Sequence, residues 1–210
     1  MSKTPKAPAP LNSGDGKTFI RVHSGRIFRY DDIPNNDISL HDIAVHLSRE
    51  SRWSGATRTY YSVAQHSVIV SAVVERTEGA LGAMYGLLHD AHEAFMKDQP
   101  TPLKQYLFEV TGYDLNDLAD KIDEAICARF GLDFPIPDEI ERAVKYADFD
   151  VCMAEGRQLV KNFRTQKFNN TEERPDVGVT FQPMLSDAAE RYFLERFNYL
   201  RGKLGSRVRV

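Results

Sequence analysis

This 210-residue chain is short of several things at once: it has two cysteines, one tryptophan and no long apolar run. Cys127 and Cys152 both fall inside amphipathic patterns, and neither belongs to a CxxC pair. A disulfide scaffold is thereby excluded, and a reduced, cytoplasmic compartment is expected. No apolar stretch approaches the about 20 residues that a bilayer-spanning helix needs, so no membrane partner is expected. An excess of basic charge is missing too. Lys and Arg number 27 against 30 Asp and Glu, for a net charge of −3. That removes the global electrostatic case for a nucleic-acid polymer as partner. The first residues, MSKTPKAPAPLNSGDGK, carry lysines with no apolar core behind them. They do not read as a secretory signal, and their Pro, Ala, Gly and Ser content predicts a disordered tail over 1–17.

The remainder, 18–210, reads as a single domain, and with 42% hydrophobic residues the chain has room for a core. TFIRVHSGRIFRY alternates apolar and polar positions around Ser24-Gly25, a hairpin signal. Ser39 is placed to cap a helix through LHDIAVHLSRES, and Ser62 to cap one through VAQHSVIVSAVVERT. GALGAMYGLLHDAHEAFMK is the most apolar helix and the expected centre of the fold, with Gln99-Pro100 and Thr101-Pro102 ending it. Further helices are expected from Asp114 to Gly131, from Pro137 to about Phe163, and over LSDAAERYFLERFNYLRGKL, with a loop at 164–183. The predicted class is all-α with a small N-terminal β-hairpin.

The central helix starts buried and then fills with groups that such a helix avoids: His89, Asp90, His92, Glu93, Lys97 and Asp98. Glu93 is four residues beyond His89 and three beyond Asp90, so the three can share one side of a helix. Charged groups at the edge of a core are costly unless they are paired or hold a metal. Two other polar residues interrupt apolar faces, His66 in AQHSVIV and Asp148 in VKYADFDVC. Imidazole and carboxylate suit a divalent ion such as Zn, Mn, Co or Fe. Four such residues on three helices would leave coordination positions open to water and substrate. Taken singly, His66 reads as a hydrogen-bonded core histidine rather than a ligand, and Asp148 reads also as a salt-bridged carboxylate. The residues alone therefore leave both a metal site and a structural polar cluster open. The other His-Asp pair, His41-Asp42, lies in a first helical turn and reads as exposed and structural.

The ordered set, a lone His66, then His89-Asp90, then Asp148, resembles the H…HD…D signature of the HD-domain phosphohydrolases, an all-α helical-bundle superfamily. SRW at 51–53 and HDAHEAFMKDQPTPLK at 89–104 resemble the HD-domain 5′-deoxynucleotidases. RTYYSVAQHSVIVS is similar to small phage-type dATP triphosphohydrolases. The resemblance covers roughly residues 18–160. It implies His66, His89, Asp90 and Asp148 as ligands of a divalent ion (Co, Zn or Mn) and Glu93 as the residue that positions or deprotonates water. It further implies Arg52 on the phosphate, Trp53 against the sugar's 2′ side, and Asp98 through Thr101 along the nucleotide pocket. The implied partner is a deoxynucleotide and the implied assembly a homo-oligomer, in the host cytoplasm where such a protein is phage-encoded. His92 departs from the small residues common at its position and reads as solvated.

Asp98 is nine residues after His89, about 13 Å along a continuous helix, so it suits the sugar rather than the water beside Glu93. Lys104 and Lys145 flank the motifs, with Lys145 three residues before Asp148, and could help neutralise phosphate; Arg58 and Lys97 read as solvated. The implied activity is hydrolysis of a deoxynucleoside triphosphate, dATP foremost, to deoxynucleoside and triphosphate. The alternatives are a 5′-deoxynucleotidase acting on monophosphates, a ribonucleotide-signal hydrolase of the same superfamily, and a non-catalytic nucleotide-binding HD domain.

Overall fold

A computed structural model describes residues 18–163 and 178–209. The tail at 1–17 and most of the expected loop, 164–177, lie outside the described residues. Strands β1 (Phe19–Arg21) and β2 (Ile27–Arg29) pair antiparallel, Ile20 opposite Phe28, with Gly25 at φ 86° in the turn. Among the described residues the rest is helical: α1 (Leu40–Arg49), α2 (Val63–Leu88), α3 (Glu93–Met96), α4 (Thr101–Thr111), α5 (Leu115–Phe130), α6 (Asp138–Leu159) and α7 (Ser186–Leu204). The all-α class with a small hairpin is thus the observed one. No helix among the described residues is long and apolar enough to cross a membrane.

α2 is the centre, packed on both α6 and α7. Gly79, at φ 62° and ψ −160°, occupies a backbone region open essentially to glycine alone. It folds the segment into two arms, 63–78 and 80–88, that lie against each other. The Ser71 hydroxyl donates to the Ala83 carbonyl at 2.7 Å across the two arms. A Cβ on Gly86 would stand 3.2 Å from the Ser71 Cα, so only a bare backbone fits there. The break coincides with the expected boundary between two helices. Its structural result is that residues near 66 and near 89, far apart in a straight helix, come to the same end of the hairpin.

Caps and packing follow the local sequence. The Ser62 side chain accepts from the Gln65 N–H at 3.2 Å, and the Asp114 carboxylate from the Asn116 N–H at 2.9 Å. Ser39 holds the N-cap position of α1 without a side-chain bond. α7 buries Ala189, Phe193, Phe197 and Leu200, a stripe at spacings of one helical turn. Cys127 and Cys152 are both free thiols.

Three expectations need correction. The helix expected to run through Lys97 stops at Leu88; turns follow, then the single turn of α3, and Lys97 reverses the chain at φ 74°. α4 was not anticipated, because Pro100 and Pro102 read as stops. Pro102 instead sits in the first turn of α4, where a missing N–H costs nothing. No residue of α4 is buried, and Leu103, Tyr106, Phe108 and Val110 are exposed. Asp42, expected on the surface, is 2% exposed and accepts from the Ser24 N–H and hydroxyl at 2.7 and 2.8 Å, fastening the hairpin turn to α1. Its neighbour His41 does stay exposed.

Gly86→Ala should force the arms of α2 apart and cost about 1–3 kcal/mol of stability, read from urea unfolding. Glu75 on α2 is clamped by Arg196 at 2.8 Å and Lys203 at 3.0 Å from α7. Burial pushes its carboxyl up, but hydrogen bonds from Lys203 and Arg196 outweigh burial and hold it below the usual value. A depressed carboxylate stabilises the fold above its unfolded pKa, and that stabilisation is lost as pH falls through the folded value. Glu75→Gln should therefore cost about 0.5–1 kcal/mol at pH 7, with the difference from wild type shrinking as pH falls below the ordinary glutamate value and vanishing once pH is below the lowered folded value, in melts across pH.

Candidate metal centre

His66 lies in the first turn of α2, His89 and Asp90 directly after its last residue, and Asp148 midway along α6. The Gly79 reversal and the packing of α2 on α6 bring all four together. The Nε2 atom of His66 is 3.0 Å from Asp148 Oδ1 and 3.7 Å from Asp90 Oδ2. The Nε2 atom of His89 is 3.2 Å from Asp90 Oδ2 and 3.7 Å from Asp148 Oδ1. Atoms each about 2 Å from a common ion lie about 3 to 3.5 Å from one another; two of the four separations here fall in that range and two are 3.7 Å.

The tautomers follow from the outer hydrogen bonds. His66 Nδ1 lies 2.7 Å from Glu155 Oε1, which can only accept, so Nδ1 carries a proton. His89 Nδ1 likewise donates to the Gly86 carbonyl at 2.9 Å. Both Nε2 atoms therefore face the cluster. His66 Nε2, His89 Nε2 and Asp90 Oδ2 are buried and have no hydrogen-bond partner. Orphaned buried atoms of these types, converging at ligand spacing, fit a divalent cation of the Zn, Mn or Co kind. Burial pushes both imidazoles down, but the surrounding carboxylates, Glu155 for His66 and Asp90 for His89, raise them above the ordinary histidine value. Protons and a cation thus compete for one set of carboxylates. The Asp148 side chain is 40% exposed, so the cluster is open on that side.

Glu155, which sequence reasoning missed, is fully buried in α6. Its carboxylate meets His66, Arg52 at 3.4 Å and the Trp53 indole N–H at 3.4 Å. Burial pushes it up, yet His66 and Arg52 keep it below the usual glutamate range. A signal existed in the spacing: Glu155 is seven residues, two helical turns, beyond Asp148 and shares its face with Val151 and Leu159.

Arg52 and Trp53 stand in the turn Arg52–Gly55, tied to the start of α2 by Arg52 N–H to Tyr61 carbonyl at 2.9 Å. Arg52 is 9% exposed, reaches Asp90 at 3.5 Å, and keeps its Nε–H without a partner. Trp53 adopts φ 57°, rare for a bulky residue, and its ring meets Phe163 edge-on at 5.5 Å. Glu93 is 5% exposed, and burial, then the charges of Asp90 and Asp98, hold its carboxyl well above the usual range.

The reversal at Lys97 also returns Asp98 toward Glu93 and Arg52, correcting the straight-helix argument that kept it away from Glu93. Lys97 pairs with Glu50 at 3.1 Å. Thr101, Lys104 and Lys145 are not drawn into the ligand cluster. Thr101 is exposed at the first residue of α4, and Lys104 is half-buried near enough for its charge to act on His92. Lys145 is exposed and bound to Glu141 at 2.6 Å. His92 is not solvated: its Nδ1 bonds both oxygens of Asp123 at 3.0 and 3.1 Å. Beside the cluster, a cleft of about 640 Å³ opens between α5 and α6, with His89 and Asp148 at one end and Asp120, Asp123 and Lys145 along it.

Fold and site together define an all-α protein with a candidate metal centre where a helical hairpin meets α6. The chain belongs to the same family as the uncharacterized protein YfdR of Escherichia coli, with which it is 39% identical over 185 residues, 87% of this chain and 96% of YfdR. It is also 35% identical over 148 residues to the uncharacterized protein RCAP_rcc00048 of Rhodobacter capsulatus, 68% of this chain and 74% of that protein. No family model matches.

Since Glu155 orients His66, Glu155→Gln should weaken divalent-metal affinity about 10–100-fold while the fold persists. Equilibrium dialysis of the variant and wild type against Mn²⁺ or Zn²⁺ would read this; equal affinities would deny Glu155 that role.

Proposed function

We propose that this protein is a metal-dependent phosphohydrolase of 2′-deoxynucleotides, of the HD-domain kind, acting on a deoxynucleoside triphosphate and foremost dATP. The observation that carries the reading is Arg52, a buried guanidinium with an unpartnered Nε–H beside the partnerless ligand atoms of His66, His89 and Asp90. An anion-binding group next to a cation-binding group suits a phosphate ester. Burial works against the charge of Arg52, and Glu155 and Asp90 outweigh it, so the guanidinium stays protonated to meet a phosphoryl oxygen.

A divalent ion held by His66, His89, Asp90 and Asp148 supplies Lewis-acid polarisation of the phosphate and lowers the pKa of water. Glu93, one turn from His89 and Asp90 and raised toward the range where a carboxyl exchanges protons, takes the proton from the attacking water. Water adds to the α-phosphorus, the bond to the 5′ oxygen breaks, and that oxygen leaves with a proton as the deoxynucleoside hydroxyl. Arg52 balances the charge that builds on the phosphoryl oxygens. Trp53, held by Glu155 and Phe163, supplies a fixed wall against a 2′ hydroxyl, and Asp98 at the chain reversal reads the sugar.

A second reading, a 5′-deoxynucleotidase acting on monophosphates, has its own support. Lys145 is engaged by Glu141, and the neighbouring cleft carries Asp120 and Asp123, which does not favour extra phosphates on that side.

Metal-loaded protein is to be incubated with dATP, dGTP, dAMP and ATP and the products separated. Deoxyadenosine and intact triphosphate from dATP are expected, with turnover reduced at least about 100-fold in Glu93→Ala. Phosphate from dAMP with dATP untouched selects the second reading. Equal turnover of ATP and dATP would remove the role given to Trp53, and no turnover of any of the four would remove the hydrolase reading.

A further inference from the structure

A second group of donors adjoins the first cluster: Asp90, His92 and Glu93 each place a ligand atom within 4.8 Å of the others. Neighbours in sequence often lie close, so the proximity alone says little. What makes the group a site is how its members are held. Asp123, thirty-one residues away on α5, takes the Nδ1 proton of His92 and leaves Nε2 as the nitrogen with a free lone pair. That is the device by which Glu155 holds His66. Glu93 is 5% exposed and its Oε2 atom is buried without a hydrogen-bond partner, which a buried carboxylate oxygen rarely lacks. Asp90 Oδ2 faces His89 at 3.2 Å, and a carboxylate has a second oxygen to offer another ion.

We propose that Asp90, His92 and Glu93 form a second divalent-cation site that shares Asp90 with the first, for an ion that accepts mixed imidazole and carboxylate ligands such as Mn²⁺ or Zn²⁺. Carboxylate-bridged pairs of ions lie about 3.5–4 Å apart. The site rests on ligand placement alone. Its consequence for turnover rests on the function proposed above: an ion there engages Glu93 as a ligand and withdraws it from proton transfer, so excess metal slows the reaction that the first ion supports.

Chelator-stripped protein dialysed against Mn²⁺ is to be counted for bound metal, and its Mn²⁺ paramagnetic resonance recorded at two equivalents. Two ions per chain, the second weaker, with an exchange-coupled spectrum, are expected for wild type. His92→Asn should bind one ion with an uncoupled spectrum, and Asp123→Asn should weaken the second ion about 10–100-fold. Thermal melts establish that the variants fold; were His92→Asn not to fold, the wild-type spectrum decides by itself. One ion per chain in wild type, an uncoupled spectrum at two equivalents, or two ions retained in folded His92→Asn would overturn the site. Two coupled ions in a protein that turns over no nucleotide would uphold the site and sink only the hydrolase reading.

Discussion

The buried carboxylate of Glu155 is the constraint around which this site is assembled. A charge at 0% exposure is tolerated only when it is fully paired, and this one is shared among an imidazole, a guanidinium and an indole N–H. The partners come from two other parts of the chain: His66 from α2, Arg52 and Trp53 from the turn before it. Glu155 therefore sets the ring orientation of His66, the reach of Arg52 and the position of Trp53 together. The Arg196–Ser71–Ala83 chain of hydrogen bonds does a related thing at the back of the molecule, joining α7 to both arms of α2.

Much of the scaffold was legible because its signals are local. Ser62 and Asp114 cap where their side chains suggest, Gly131 ends α5 in a left-handed conformation, and the hairpin turns at Gly25. The four ligand candidates stood out as polar residues on apolar faces, and the structure does bring them within 3.0–3.7 Å. Less legible were features decided by tertiary contact. The chain leaves its helix after Leu88 and reverses at Lys97, which no periodicity announces, and the reversal brings Asp98 near enough for its charge to act on Glu93. Asp42 and His92 read as surface residues because their partners, Ser24 and Asp123, are 18 and 31 residues away. Pro100 and Pro102, at the N-cap and in the first turn of α4, mark an end and a beginning at once, and local sequence displays only the end.

The electrostatics are lopsided. Asp90, Glu93, Asp98, Asp148 and Glu155 surround a single guanidinium, that of Arg52. Such an excess of carboxylate raises the histidines and Glu93 while depressing Asp90 and Asp148, so neighbouring groups are driven in opposite directions. A concentration of like charge so near a core is costly; protons on groups such as Glu93 relieve it, and a bound cation would do so too. Cleft, guanidinium and ligand cluster adjoin, so whatever relieves that charge also decides what else can approach.

α4 stands apart from this network. None of its eleven residues is fully buried, and a helix of that length has little stability of its own in water. A segment so little buried is expected to open at a lower free energy than the core, with its amides exchanging ahead of those of α2 and α7. Because α4 begins three residues after Asp98, its unravelling lengthens the tether behind that carboxylate while Glu93, anchored on buried α3, stays in place. One wall of the site is therefore set by the core and the other by the helix with the least burial to hold it.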